Sequence, residues 1–163
     1  MEPNEFIIYH IKELNLFMFG AAQDVVDGFI REMNSDPGSG MKLEAIEIDF
    51  TSLQPLIPVI IGVWFGDMNK QYLRTAGYFG KNVDKSEEFN KALQGNAKIS
   101  QLLFNYTFKN EPYTVGITRT GSVILYSRVK DPKTKIPDQR SEIQIAIQIL
   151  INFILPGFIV KTY

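Results

Sequence analysis

Between residues 99 and 129 apolar and polar side chains alternate in three runs, broken at Asn110-Glu111 and at Thr120-Gly121. Alternation is strand spacing and short breaks of this kind join hairpins, so the stretch is predicted to fold as a three-stranded antiparallel meander. With two-residue loops at both breaks, Phe104 faces Ile117 and Ile117 faces Ile124, Tyr106 faces Val115 and Val115 faces Tyr126, and Phe108 stands opposite Tyr113. One continuous apolar face results. The reverse face carries Asn105, Thr107, Thr114, Gly116 and Thr118 together with Val123 and Leu125. A slip of one residue would exchange the two faces.

Upstream, Ile7, Ile11, Leu14, Met18, Ala21, Val25, Phe29 and Met33 recur at three- and four-residue steps. That spacing predicts a helix over residues 6–34, stopped by Asn34-Ser35-Asp36-Pro37-Gly38. A competing reading makes residues 6–11 a strand, because the run is rich in β-branched and aromatic side chains and Gly20 marks a break. Residues 43–50 place Ile46, Ile48 and Phe50 on one side and Glu47 and Asp49 on the other, the pattern of a half-buried strand near a sheet edge. Residues 59–65 are apolar on both faces and belong in the middle of a sheet, with residues 66–70 as a turn and 71–79 as the return strand. Asp84 with Glu87 opens a short helix that Gly95 ends. The expected class is α+β: one domain over residues 1–163, with a single antiparallel sheet of five to six strands, hairpin plus meander, and helices packed on its faces.

Residues 143–160 contain no charged side chain, which raises the question of a membrane span. Gln144, Gln148 and Asn152 form an amide stripe, Pro156-Gly157 stops the helix, and no basic cluster flanks one end, so a buried helix over residues 141–155 is expected. Ile143, Ile147, Leu150 and Ile154 occupy one face of it, and Ile145, Ile149 and Phe153 lie around the side. So wide an apolar surface exceeds what one sheet covers. It implies a homodimer seam through Ile145, Gln148, Ile149, Asn152 and Phe153, the alternative being cover by the N-terminal helix of the same chain.

Composition narrows the chemistry. The chain is 45% hydrophobic and 21% charged with a formal net charge of −1, an ordinary globular balance with no general field to gather nucleic acid. Without cysteine there are no disulfides, thiolate nucleophiles or thiolate metal sites, and His10 is the single histidine. An acidic start at Met1-Glu2-Pro3-Asn4-Glu5, with no short apolar run and cleavage site behind it, reads as cytoplasmic. Glu47 and Asp49 with Asp67 offer oxygen ligands but read as the wet face of a strand. Gly38-Ser39-Gly40-Met41-Lys42 has the glycines of a phosphate loop but precedes a strand, so it reads as a linker. Arg128, Lys130, Lys133, Lys135 and Arg140 form a basic stretch suited to an anion or an acidic partner, diluted by Asp131, Asp138 and Glu142 and lacking aromatic residues for base stacking. No cofactor, metal or catalytic set is expected.

The order of elements, with a hairpin over residues 59–79 and a meander over 99–129 in one sheet, resembles that of the roadblock and longin families, which are profilin-like modules. The resemblance spans roughly residues 6–155 and rests on element order without a diagnostic motif. It implies a non-catalytic module that dimerises and docks a small GTPase or a scaffold. Two other functions fit the same residues. One is a small toxin-neutralising or inhibitor protein. The other is a small-molecule binder or carboxylate-based enzyme with a pocket lined by Tyr106, Arg119 and Tyr126.

Overall fold

Asn15 adopts the left-handed conformation, and the turn it closes folds the chain into a hairpin of β1 (Ile7–Ile11) and β2 (Leu16–Gly20). The computed structural model describes residues 5–68 and 72–155, which divide into two compact units, Met1–Ala45 and Ile46–Tyr163. In the first unit the hairpin is followed by α1 (Gln23–Ser35). The helix expected over residues 6–34 is therefore helical only from Gln23, and the competing strand reading holds for its start. Density of β-branched and aromatic residues before Gly20 outweighs the helical spacing there. The rings of Phe6, Phe19 and Phe29 meet at 5.5–6.4 Å and join the hairpin to α1. Beyond the helix end, the Asn34 amide donates to the Leu43 carbonyl at 2.8 Å and accepts from the Leu43 N–H at 2.7 Å, as a strand neighbour would.

The second unit is built on a five-stranded antiparallel sheet in the order β4-β3-β5-β6-β7. Its strands are β3 (Ile60–Gly66), β4 (Ala76–Phe79), β5 (Lys98–Phe108), β6 (Glu111–Thr118) and β7 (Val123–Leu125). Together with the helices this confirms the α+β class. Strand β3 lies inside the sheet, as its two apolar faces require.

Both meander turns differ from expectation, and with different consequences. Lys109 and Asn110 are both left-handed, so the first loop is Lys109-Asn110 in the manner of a type I′ turn. Phe104 then pairs with Val115, Leu102 with Ile117, Tyr106 with Tyr113 and Phe108 with Glu111. A two-residue shift keeps every side chain on its expected face. The second loop holds three residues, Arg119-Thr120-Gly121, closed by the Thr118 N–H donating to the Ser122 carbonyl at 3.0 Å, with Gly121 left-handed at φ 86°. That odd step exchanges the faces of β7: Val123 and Leu125 pair with Ile117 and Val115, while Ile124 and Tyr126 turn outward, 37% and 51% exposed. The expected pairs of Ile117 with Ile124 and of Val115 with Tyr126 are not formed.

Residues 43–50 do not form the expected strand. Their burial alternates as read, with Ile48 and Phe50 inside, but the backbone hydrogen bond that ties the run to the meander is the single one from the Ile48 N–H to the Arg119 carbonyl at 2.7 Å, and among the described residues the run joins no strand ladder. Ile46 sits against the Cα of Gly121, where a side chain could not be accommodated. Asp49 then caps α2 (Phe50–Leu53), accepting from the Thr51 N–H and the Ser52 hydroxyl.

One face of the sheet carries the core. Val63, Phe65, Leu102, Phe104, Val115 and Ile117 are at most 1% exposed. Helix α3 (Glu87–Gln94) reaches it through Phe89, whose ring lies 5.4 Å from that of Phe65. Its cap is Ser86, accepting from the Phe89 N–H at 3.1 Å, in place of the expected start at Asp84, which lies in a preceding 3-10 turn. Helix α4 (Gln139–Ile149) is capped by Asp138 and continues as one π-helical turn over Leu150–Ile154. Phe153 packs edge-on against Phe104 at 5.3 Å. Thus α3 and α4 lie on the same face of the sheet. No helix among the described residues is long and apolar enough to cross a membrane, and Pro156-Gly157 lies outside those residues.

The capping carboxylates sit below the usual range, Asp49 chiefly through the Ser52 hydroxyl and Asp138 chiefly through that of Ser141. Folded values below unfolded ones mean that this stabilisation is complete above the unfolded carboxylate range and disappears as pH falls through the folded values. Acid titration of Asp138→Asn, followed by circular dichroism, should accordingly show a shallower loss of stability on its acid limb than the parent chain. Ser86→Ala should lower stability by about 1 kcal/mol in denaturant titration, the typical cost of a lost N-cap.

Candidate functional site

The face of the sheet opposite α3 and α4 is where large apolar side chains meet solvent. Direct pairing places Phe79, Gly62, Leu103, Gly116 and Ile124 in one row across all five strands, with Gly77, Trp64, Gln101 and Thr118 in the next. Phe79 is 61% and Trp64 40% exposed, and their rings meet edge to face at 5.4 Å. A Cβ on Gly62 would stand 2.9 Å from the Phe79 ring, one on Gly77 2.9 Å from the Trp64 indole, and one on Gly116 3.1 Å from the Tyr126 ring. Each glycine thus leaves a hollow in the sheet surface that an aromatic side chain enters, at Gly116 together with the Gln101 amide. The Gln101 amide donates to the Tyr126 hydroxyl and holds that ring over Gly116. Every side chain in these two rows is uncharged.

This surface was not among the candidates drawn from the sequence. Its signal is present there, in glycines at strand interiors followed two residues on by an aromatic, as in Gly62 and Trp64 or Gly77 and Phe79. The one-residue error in the second turn hid it by assigning Ile124 and Tyr126 to the core.

Candidates on α4 stand differently from expectation. Ile145 and Ile149 are fully buried within the chain and cannot form a contact surface, and Phe153 packs on Phe104 and on Tyr106 at 6.2 Å. Gln148 accepts from the Tyr106 hydroxyl at 2.6 Å, and Asn152 is exposed. The π-helical turn and the depth of the sheet's covered face let one chain bury what seemed to need two. Ile149→Ala is consequently expected to cost roughly 2–5 kcal/mol in a chemical denaturation curve, with no change in association state.

The pocket expected around Tyr106, Arg119 and Tyr126 does not form. Tyr106 and Tyr126 lie on opposite faces, engaged with Gln148 and Gln101, and Arg119 lies 3.9 Å from Asp67. Asp49 is occupied in capping, and no group of three or more metal-ligating side chains forms among the described residues. His10 stacks on Phe17 at 4.4 Å. Ser39 donates to the Met33 and Asp36 carbonyls, closing its loop on the end of α1.

The basic residues do gather. Arg128 reaches Glu142 at 3.6 Å, and Lys130, Lys133, Lys135 and Arg140 are exposed on the connector and the first turn of α4. Lys109, from the first meander turn, joins them by donating to the Ser141 hydroxyl at 3.2 Å.

The chain matches no family model, no curated protein and no solved structure.

Gly77→Ala tests the geometry of the open face. It should displace the Trp64 indole and alter its near-ultraviolet circular dichroism band while leaving the far-ultraviolet spectrum unchanged.

Proposed function

We propose that the protein is a non-catalytic interaction module that pairs with a second copy of itself through the open face of its five-stranded sheet. The observation that carries this reading is the exposed set Phe79, Trp64, Ile124 and Tyr126, arranged around the buried Leu103 on two rows that hold no charged side chain. Soluble proteins seldom leave such a patch to water. Self-association places each patch against its own copy across a two-fold axis. A charged row would then meet its own charge, and these two rows have none to oppose, the nearest cation on this side being Lys98 opposite Gly66. Five strands at about 4.8 Å spacing span roughly 19 Å, enough for two sheets to stack face to face. The aromatic side chains are held by the glycine hollows beneath them, so little rotamer freedom is lost on contact. The resemblance to roadblock and longin modules suggests a finer reading, a small GTPase or scaffold as a further partner of the paired module.

Sedimentation velocity across a concentration series tests the pairing. The parent chain should shift from monomer to dimer, and the emission of Trp64, the single tryptophan, should move to shorter wavelength over the same range. Phe79→Lys should hold the chain monomeric. A monomer at every concentration would remove this reading, and a dimer unaffected by Phe79→Lys would place the seam elsewhere.

A further inference from the structure

The connector between β7 and α4 is a loop closed by its own hydrogen bonds. Lys130 pairs with Pro137 in an isolated bridge, the Asp131 N–H donates to the Ile136 carbonyl at 2.9 Å, and the Lys135 N–H donates to the Asp131 carbonyl at 2.9 Å. Inside it, the Asp131 carboxylate accepts from the N–H groups of Lys133 and Thr134 and from the Thr134 hydroxyl. Lys135 turns the chain in the left-handed conformation, and the next residue, Ile136, is 63% exposed. An aliphatic side chain is therefore presented to solvent beside Lys135, with Lys133 and Lys130 on the same short loop.

The local charge is biased although the whole chain is nearly neutral. Residues 128–140 hold five cations against Asp131 and Asp138, and the full chain carries −1. Both acids are spent on backbone and hydroxyl donors of the loop and of α4, and Glu142 takes the Val129 N–H and Arg128. Among the described residues no carboxylate lies within ion-pair distance of Lys130, Lys133, Lys135 or Arg140.

We propose that this connector docks the protein on an anionic membrane surface, with the lysines at the phosphate and carboxylate headgroups and Ile136 entering the boundary of the acyl chains. Two features favour a membrane over other polyanions. A cation cluster with an aliphatic side chain at its tip matches the two zones of a lipid interface, charged outside and apolar within. Recognition of single-stranded nucleic acid uses stacking aromatic residues, and the connector has none. The loop is closed by its own hydrogen bonds, so its backbone needs little further ordering to present Ile136 and the exposed lysines to a surface. One aliphatic side chain and a handful of cations give reversible, salt-sensitive attachment, not permanent anchoring.

Co-sedimentation of the full chain with vesicles of phosphatidylcholine, with and without phosphatidylserine, tests this. Binding should require phosphatidylserine and disappear at about 0.5 M salt, where the screening length falls below the reach of these side chains. The double substitution Lys133→Glu with Lys135→Glu should weaken it by at least about tenfold. Ile136→Ser should weaken it severalfold at constant charge. All three side chains are exposed, and far-ultraviolet circular dichroism of each variant confirms the fold. Equal binding to both vesicle types, no binding to either at low salt, or binding unchanged by the charge reversal would overturn the proposal. Tighter binding to polyuridylate, lost in the charge reversal but kept in Ile136→Ser, would assign the patch to nucleic acid instead.

Discussion

Val63 and Leu102 face each other across β3 and β5, neither exposed to solvent, and the second unit depends on that pairing. The hairpin of β3 and β4 and the meander of β5 to β7 are each local structures that short turns can form. Their junction is not local: about 40 residues separate the two partners, and closing so long a loop has an entropic cost that must be recovered by burial. Phe65 and Phe89 supply part of it, because the connecting helix α3 places Phe89 beneath the strand from which the connection departs. Once β5 lies beside β3, α4 has a continuous floor of Leu102, Phe104, Val115 and Ile117 to cover. The bulge at this point lies in β5, where Ser100 is the extra residue between Gln101 and Ile99, and it keeps Ile99 opposite Phe65 on that floor.

How much of this was legible depended on which periodicity was being read. The meander, the interior place of β3, the end of α1 and the inward alternation of Ile46, Ile48 and Phe50 followed from spacing. Turn geometry did not, because the number of loop residues is decided by which ones take left-handed backbone. Asn110-Glu111 looked like a loop, yet Lys109 and Asn110 form it; Thr120-Gly121 looked complete, yet Arg119 belongs to it as well. The first error was even and harmless to the faces. The second was odd, and it moved Ile124 and Tyr126 from the inside of the sheet to the outside. Helical spacing over residues 6–34 was also real but was shared by a run whose β-branched and aromatic content prefers extended backbone.

The face exchange in β7 puts the exposed apolar surface on the sheet and not on α4. An apolar helix seemed to need a second copy because its apolar surface looked wider than one sheet could cover. With α3 and α4 on one face, the helix finds its cover within the chain, and the uncovered surface is the row that runs from Phe79 to Ile124. The basic connector, by contrast, was visible as composition. What the fold adds is that its acids, though still charged, are turned to hydrogen-bond donors of the loop and of α4, which leaves the lysines without an ion-pair partner among the described residues, beside an aliphatic tip.

The first unit has a different physical character. None of its described residues is buried, and its hairpin and helix meet through Phe6, Phe19 and Phe29 at the margin of solvent. Amide protons in β1, β2 and α1 are therefore protected by little more than local opening energies, whereas those of β3 and β5 wait for the global transition. The polypeptide is thermodynamically graded along its length. Heat, denaturant or a protease would find in the first unit few buried side chains to hold it closed, and in the second a sheet with a buried core.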